Sequence, residues 1–249
     1  MKLAVIGYGV VGRHMRADIE RAGLECLTYD VVGDGHATRE QVNECAAAFV
    51  CVGTPQSESG AADLAAIYDV FSWLAVPVAI IRSTVPPGTT DTLRNAVFCP
   101  EFIGEGVNPP YLAMRQPPFV IIGGIPALRE RAGLVLQRLY NSECEFIFTD
   151  AKTAEVCKYA ENYYLALKVT WANELYDICR RLGADFPQMM SAVTHDYRIG
   201  RSHTHVYPDR RGFDGRCLPK DTAALLAAVG EDVAPLLAAM RRINGGRRA

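Results

Sequence analysis

Short apolar runs punctuate the first 150 positions, at 2–6, 24–29, 47–52, 76–81, 96–99, 119–122 and 144–148. Their length and bounding turn residues are those of buried strands. Between several of them, at 10–21, 63–74 and 127–140, apolar positions recur every three to four residues, the period of an amphipathic helix. Strands alternating with helices predict an α/β fold with a doubly wound parallel sheet. The segment 31–45 leaves room for only a small crossover.

From 150 to 182 the pattern changes to one unbroken helical period. Asp150 is a suitable N-cap and Gly183 a suitable terminator. Val156, Tyr159, Tyr163, Leu167, Trp171 and Ile178 fall on one side of it. About 33 residues at 1.5 Å each make a rod of roughly 50 Å, longer than one small domain needs. Such a rod predicts a homodimer seam or a bridge between two domains. A mixed segment follows at 184–211, then two short helices at 222–229 and 232–243. The division expected is 1–149, a helical domain at 150–244 built on the long central helix, and a frayed tail at 245–249.

The first strand runs into Gly7-Tyr8-Gly9-Val10-Val11-Gly12, a helix follows, and the second strand ends in Asp30. Strand, G-x-G-x-x-G, helix, strand and acid are the parts of a Rossmann-type dinucleotide fingerprint in their required order. Gly7 makes the tight turn, Gly9 admits the pyrophosphate and Gly12 lets helix and strand pack. The helix N-terminus, with Val10 and Val11, faces the phosphates. Asp30 accepts from the ribose hydroxyls. Val31 and Val32 follow it, with no Arg for a 2′-phosphate, so the expected cofactor is NAD rather than NADP. Three loops after strands are rich in turn residues: Gly53-Thr54-Pro55, Arg82-Ser83-Thr84-Val85-Pro86-Pro87-Gly88 and Pro100-Glu101-Phe102-Ile103-Gly104-Glu105-Gly106. In such sheets this edge faces the ligand crevice, although Gly and Pro serve equally as plain turn chemistry.

Composition narrows the class. The chain has 249 residues, 49% of them hydrophobic and 22% charged, as in an ordinary globular protein. A formal net charge of -2 gives no case for nucleic acid or an acidic membrane surface. No apolar run approaches the roughly 20 residues of a membrane span. The N-terminus enters a strand directly, unlike a signal peptide. Eight cysteines are scattered without a Cys-x-x-Cys pair, which predicts a reducing cytoplasm and no structural zinc.

One cysteine stands apart. Gly212-Phe213-Asp214-Gly215-Arg216-Cys217-Leu218-Pro219-Lys220-Asp221 sets Cys217 between Arg216 and Lys220, with a carboxylate four residues on. Gly212 and its neighbours let the backbone approach a ligand closely, and Pro219 reads as the first turn of a helix. A thiol at a helix N-terminus beside cations has a lowered pKa, and its thiolate is the nucleophile. The plainer alternative is a packed cysteine. On the long helix Lys158 and Asn162, at i and i+4, project together. Taken alone they read as a solvated face. His203-x-His205 lacks a third ligand at a fixed spacing, so no metal is expected. Arg198, Arg201, Arg210 and Arg211 suit an anionic ligand or a solvated surface.

Taken in order, 6–12, Gly53-Thr54-Pro55, Ser83-Thr84-Val85-Pro86-Pro87-Gly88, 100–105, 154–173 and 212–221 resemble the UDP-glucose/GDP-mannose dehydrogenase family. The resemblance implies an NAD-dependent enzyme that oxidises a sugar-nucleotide primary alcohol to a carboxylate in two hydride transfers. It implies that Cys217 adds to the first-formed aldehyde, giving a thiohemiacetal and then a thioester. It implies that Lys158 and Asn162 stabilise oxyanions, and that Asp221, Thr84 and Glu105 act around the hydrolytic water. Glu101, Phe102, Arg198, Gly212 and Lys220 would bind the substrate, and Gly53, Thr54, Pro55 and Thr84 would adjoin the cofactor. The family's Arg is Gly104 here, and Asp214 replaces a family glycine. Family members also carry a further C-terminal domain, and this chain stops about where it would begin. A partner chain supplying that wall, or a smaller substrate, are the expectations that follow. Two other readings remain: a single-hydride dehydrogenase of a small hydroxy acid or sugar phosphate, and a non-catalytic NAD-binding relative.

Overall fold

The computed structural model describes residues 1–33, 36–102 and 117–248. The chain forms two compact units, Met1–Pro55 with Ala62–Lys158, and Gln56–Ala61 with Tyr159–Ala249.

The first unit is built on seven strands, β1 (Lys2–Ile6), β2 (Glu25–Tyr29), β3 (Ala47–Val50), β4 (Ala79–Ile81), β5 (Ala96–Phe98), β6 (Phe119–Gly123) and β7 (Glu145–Thr149). Each apolar run of the sequence becomes one of them. They lie in the order β2-β1-β3-β4-β5-β6-β7. All neighbours pair parallel except β5 and β6, which pair antiparallel. The sheet is therefore mostly rather than wholly parallel. The helices of this unit are α1 (Val10–Arg21), α2 (Arg39–Asn43), α3 (Ala65–Trp73) and α4 (Pro126–Leu136). The five-residue α2, capped reciprocally by Thr38 and Gln41, is all that the short 31–45 segment accommodates.

Strand alternation sends side chains to two cores. Leu3, Val5 and Phe49 pack with Met15 and Ile19 of α1 and Leu136 of α4. Ala4, Ile6 and Val50 pack on the other face with Val42 of α2 and Ile67 and Val70 of α3. A sheet buried on both faces has near-continuous apolar strands, which is why periodicity in the strands is weak. The chain reverses direction across the sheet between β1 and β3, the switch point where open α/β sheets hold ligands.

Helix α5 (Ala151–Leu182) is the 32-residue rod expected. Asp150 caps it, accepting from Thr153 N at 2.8 Å, and Gly183 ends it at φ +72°. The two compact units divide inside this helix, between Lys158 and Tyr159. The apolar side read from the sequence does not form one seam. Tyr159 is fully buried, and Tyr163 and Leu167 pack into a local core with Phe213 and Leu237. Val156, Tyr164, Ile178 and Leu182 remain exposed instead.

Three helices complete the second unit: α6 (Phe186–Val193), α7 (Leu218–Val229) and α8 (Pro235–Arg248). The expected tail is part of α8, held by Arg247 on Asp177 at 2.6 Å and Arg248 on Asp214 at 2.5 Å. Helix α6 was not legible in the mixed segment.

Candidate active site

The glycine turn separates into three roles. Gly7 adopts φ +89°, and a Cβ there would lie 2.7 Å from the Cys51 carbonyl. A Cβ on Gly12 would lie 1.9 Å from Gly7 O. Both glycines are thus required by the chain's own packing. Gly9 differs: its Cβ would meet nothing within 4 Å. Gly9 is the N-cap of α1, no side chain caps the helix, and its first turn carries no acid. The amide end around Val10 and Val11 is therefore open to an anion.

Asp30 stands beside this turn. Its carboxylate accepts from Tyr8 N at 2.5 Å and Val32 N at 3.0 Å. Burial pushes its pKa up, but the backbone amides of Tyr8, Val32 and Val31 outweigh it and hold the group below the ordinary carboxylate value. An ionised acceptor at this place suits ribose hydroxyls and repels a 2′-phosphate. These residues fit a dinucleotide, which would lay its diphosphate on Gly9 and its adenosine ribose on Asp30.

The loops after β3 and β4 brace one another. Thr54 Oγ1 donates to Thr84 O at 2.8 Å, and Ser83 Oγ donates to Val52 O at 2.7 Å. Thr54, placed by sequence among cofactor contacts, is buried and fixes the Thr84 backbone. Glu155 of α5 pins the same loop further along, accepting from Gly88 N at 2.5 Å, Thr90 N at 2.8 Å and Thr90 Oγ1 at 2.6 Å. Glu155 is wholly buried, and burial raises its pKa despite those donors.

Glu101 carries a role the sequence did not assign. It forms a salt bridge with Arg82, whose side chain is only 3% exposed, and Arg82 Nη1 also donates to Cys99 Sγ at 2.9 Å. The expected substrate ligand is thus the counter-ion of a buried arginine. Phe102 lies 4.9 Å from Lys158 Nζ, which sits over its ring, and packs on Phe119. Glu105 and Gly104 lie outside the described residues.

In the second unit Cys217 is the N-cap residue of α7, with Pro219 in the first turn. The helix start read from the sequence is where the structure has it, and Asp221 N donates to Cys217 O at 2.9 Å. Asp221 is 1% exposed. It accepts from Asn162 Nδ2 at 2.6 Å and from Lys220 Nζ at 2.5 Å. Asn162 and Lys158, one turn apart on α5, are both buried, so the solvated-face reading of this pair is overturned. Lys220, expected at the substrate, is committed to Asp221. A carboxylate, an amide, a cation and the thiol-bearing turn thus share one hydrogen-bonded network around the buried Asp221.

Gly212 adjoins Asn244. Its φ is +80°, and a Cβ would lie 2.4 Å from Asn244 Oδ1. The glycine leaves room for a side chain of this protein. Arg198 pairs with Asp196 at 2.5 Å and is 75% exposed, on a loop that Lys168 holds through Ile199 O at 3.0 Å, Gly200 O at 3.3 Å and Ser202 Oγ at 3.2 Å. Sequence reasoning missed Asn173, Lys168, Asn244 and Glu155. Their signal was polarity at buried helical positions, which a single sequence does not reveal. A cavity of about 430 Å³ in the same unit is lined by Tyr176, Phe186, Met190 and Arg201 among others. Of the candidates raised by the sequence, Arg201 and His205 line it, whereas Cys217, Lys158, Asn162 and Asp221 do not.

Comparison with known proteins agrees with this geometry. The model of the UDP-glucose/GDP-mannose dehydrogenase family NAD binding domain matches residues 33–142, and that of the family's central domain matches 152–245. The first match begins after the glycine turn, so the fit of that turn to a dinucleotide rests on its own geometry. A putative UDP-glucose 6-dehydrogenase of Bacillus subtilis is 30% identical, over 98% of this chain and 67% of its own length. A UDP-glucose 6-dehydrogenase of Rhizobium meliloti is 32% identical, over 76% of this chain and 47% of its own. The chain thus spans from about half to two thirds of these relatives. The structure of a UDP-glucose dehydrogenase from Pyrobaculum islandicum superposes with a TM-score of 0.84 at 27% identity, over 98% of this chain and 68% of that one. With the NAD binding and central domains both matched and the dinucleotide turn intact, the cofactor is NAD and the chain belongs to the UDP-glucose/GDP-mannose dehydrogenase family.

Proposed function

We propose that this chain oxidises the primary alcohol of a nucleotide sugar, UDP-glucose or a close relative, to a carboxylate through a covalent intermediate on Cys217. NAD, when bound, supplies the oxidising equivalent, taking one hydride in each of two steps. The first hydride leaves the alcohol carbon as the hydroxyl proton is lost, giving an aldehyde. The Cys217 thiolate adds to that aldehyde and forms a thiohemiacetal. Loss of a second hydride gives a thioester, and water cleaves it to the carboxylate and the thiol. The balance is one alcohol, one water and two NAD+ consumed, with two NADH, one carboxylate and three protons formed.

The observation that carries this reading is the buried contact of Asn162 with Asp221, whose amide hydrogen-bonds the carbonyl of Cys217. A thiol at a helix N-terminus is favoured as thiolate by the helix dipole. Lys158 and Asn162 act as donors to the developing oxyanion. Asp221, Thr84 and Glu105 prepare the hydrolytic water. The 1–149 region serves as the NAD-binding domain and 150–244 as the central domain carrying the nucleophile.

We further propose a homodimer formed through α5, favoured by the exposed Val156, Tyr164, Ile178 and Leu182 at helical spacing. A reducing cytoplasm suits eight cysteines none of which is in a disulfide. Among the described residues no helix is long and apolar enough to cross a membrane.

Mass spectrometry of protein quenched during turnover with UDP-glucose and NAD tests the covalent step. A sugar-derived adduct mapping to Cys217, absent from Cys217→Ser, is expected. Turnover with no adduct, and full activity in Cys217→Ser, would leave only a single-hydride reaction.

A further inference from the structure

Two residues of α8, three positions apart and so on one face of the helix, reach the nucleophile segment on either side of Cys217. Asn244 Oδ1 accepts from Phe213 N at 2.7 Å, and Asn244 Nδ2 donates to Phe213 O at 3.1 Å. This two-point contact reads the Phe213 backbone as a neighbouring strand would. Gly212 leaves the space that Asn244 Oδ1 fills. On the other side Arg241 Nη1 donates to Pro219 O at 2.9 Å and to Thr222 Oγ1 at 2.8 Å. Phe213 precedes Cys217 by four residues and Pro219 follows it by two, so the thiol stands between two fixed points.

Helix α5 adds a third hold upstream. Asn173 Oδ1 accepts from Arg211 Nε at 2.6 Å and Gly212 N at 3.2 Å. Asn173, Asn244 and Phe213 are all buried. Burial lowers the pKa of Arg241, and no carboxylate among the described residues offsets it. A half-buried guanidinium is costly, and here its hydrogen bonds among the described residues go to a carbonyl and a hydroxyl in the first turn of α7. That placement adds positive charge to the helix end that carries the thiol.

We propose that Asn244 and Arg241 are positioning residues for the nucleophile: α8 clamps the segment on both sides of Cys217 and holds its thiolate at the N-terminus of α7. The inference rests on the reading of Cys217 as nucleophile. Neither residue touches substrate in this account, so their loss acts through Cys217.

The test is the pH dependence of Cys217 alkylation by iodoacetamide in the full chain, with no substrate added, followed by peptide mapping. Cys99, wholly buried in the first unit, serves as the internal measure of unfolding. In Asn244→Ala and Arg241→Gln the midpoint of Cys217 alkylation should rise by about 1 pH unit, as expected when helix-terminus and cation support of a thiolate is lost. The Cys217 rate at pH 7 should fall about 5- to 10-fold, with Cys99 unreacted. Arg241→Lys, which keeps the charge, should recover most of the change. An unaltered Cys217 midpoint in folded Arg241→Gln would overturn the proposal. So would equal gains in reactivity at Cys217 and Cys99, which mean general loosening. Because alkylation needs no turnover, altered Cys217 reactivity in a protein that makes no NADH would uphold the clamp while sinking the proposed reaction.

Discussion

Asn162 Nδ2 donates to Asp221 Oδ2 at 2.6 Å in a site where the two residues are 5% and 1% exposed. The carboxylate fixes the sense of the amide, because turning Asn162 over would bring its own oxygen against Asp221. One amide hydrogen is held in this way, and no partner for the other stands among the described residues. The buried acid therefore orients the oxyanion donor, in addition to any role it has toward water.

Asn162→Asp should place two carboxylates in contact, and one of them should then have a raised pKa. A folded-state pKa above the unfolded one contributes stability that is lost as pH rises through it. The variant should accordingly melt several degrees lower than the parent at pH 7.5 and recover toward pH 5, measured by thermal unfolding. The exchanged pair Asn162→Asp with Asp221→Asn restores one donor and one acceptor. It should recover most of the melting temperature at pH 7.5 while remaining at least about 100-fold down in turnover, the scale expected for a lost oxyanion donor. Recovery of both would show the donor to be dispensable.

Gly9→Ala and Gly12→Ala should fail in different ways. A Cβ at Gly9 meets open space, whereas one at Gly12 meets Gly7 O at 1.9 Å. Gly9→Ala should fold with an unchanged melting temperature and bind NAD at least about 10-fold more weakly, through loss of close approach to the diphosphate. Gly12→Ala should lose stability by roughly 2 kcal/mol or more as the turn is forced open. Calorimetry with and without NAD separates the two.

Glu155 has a pH signature. Its folded pKa is raised, chiefly by burial. Its contribution is therefore fully present below the ordinary glutamate value and lost as pH rises above it. Glu155→Gln removes that dependence. The melting temperature of Glu155→Gln relative to the parent should improve as pH rises above the ordinary glutamate value. A difference that is flat with pH would mean that Glu155 does not titrate in this range.

The α5 stripe gives a prediction about assembly. Light scattering should report about twice the 27.3 kDa chain mass. Ile178→Glu with Leu182→Glu, at positions 44% and 75% exposed, should give the single-chain mass with the fold retained. A monomer in the unaltered protein would end the dimer proposal.

Much of this architecture is legible in the sequence because it follows from local rules. Apolar runs become strands, Asp150 and Gly183 bound α5, and Pro219 opens α7. The dinucleotide turn is legible because its glycines, strand, helix and acid stand in a fixed order. What escaped depends on contacts between residues far apart in the chain. Glu101 reads as a loop acid until Arg82 is seen beneath it. Gly212 reads as room for a ligand, with no sign of the Asn244 side chain beside it. Tyr159 shares a helical side with Ile178 by spacing, yet one is buried and the other exposed. Lys158 and Asn162 read as a solvated face from the helix alone, and only the family resemblance points to a buried site for them.

The central claim is a four-electron oxidation through Cys217, and the most direct measurement counts NADH formed per UDP-glucose consumed, in the parent and in Cys217→Ser. The account predicts two NADH per sugar in the parent and loss of the carboxylate product in Cys217→Ser. One NADH per sugar, or an acid product that survives Cys217→Ser, would contradict it.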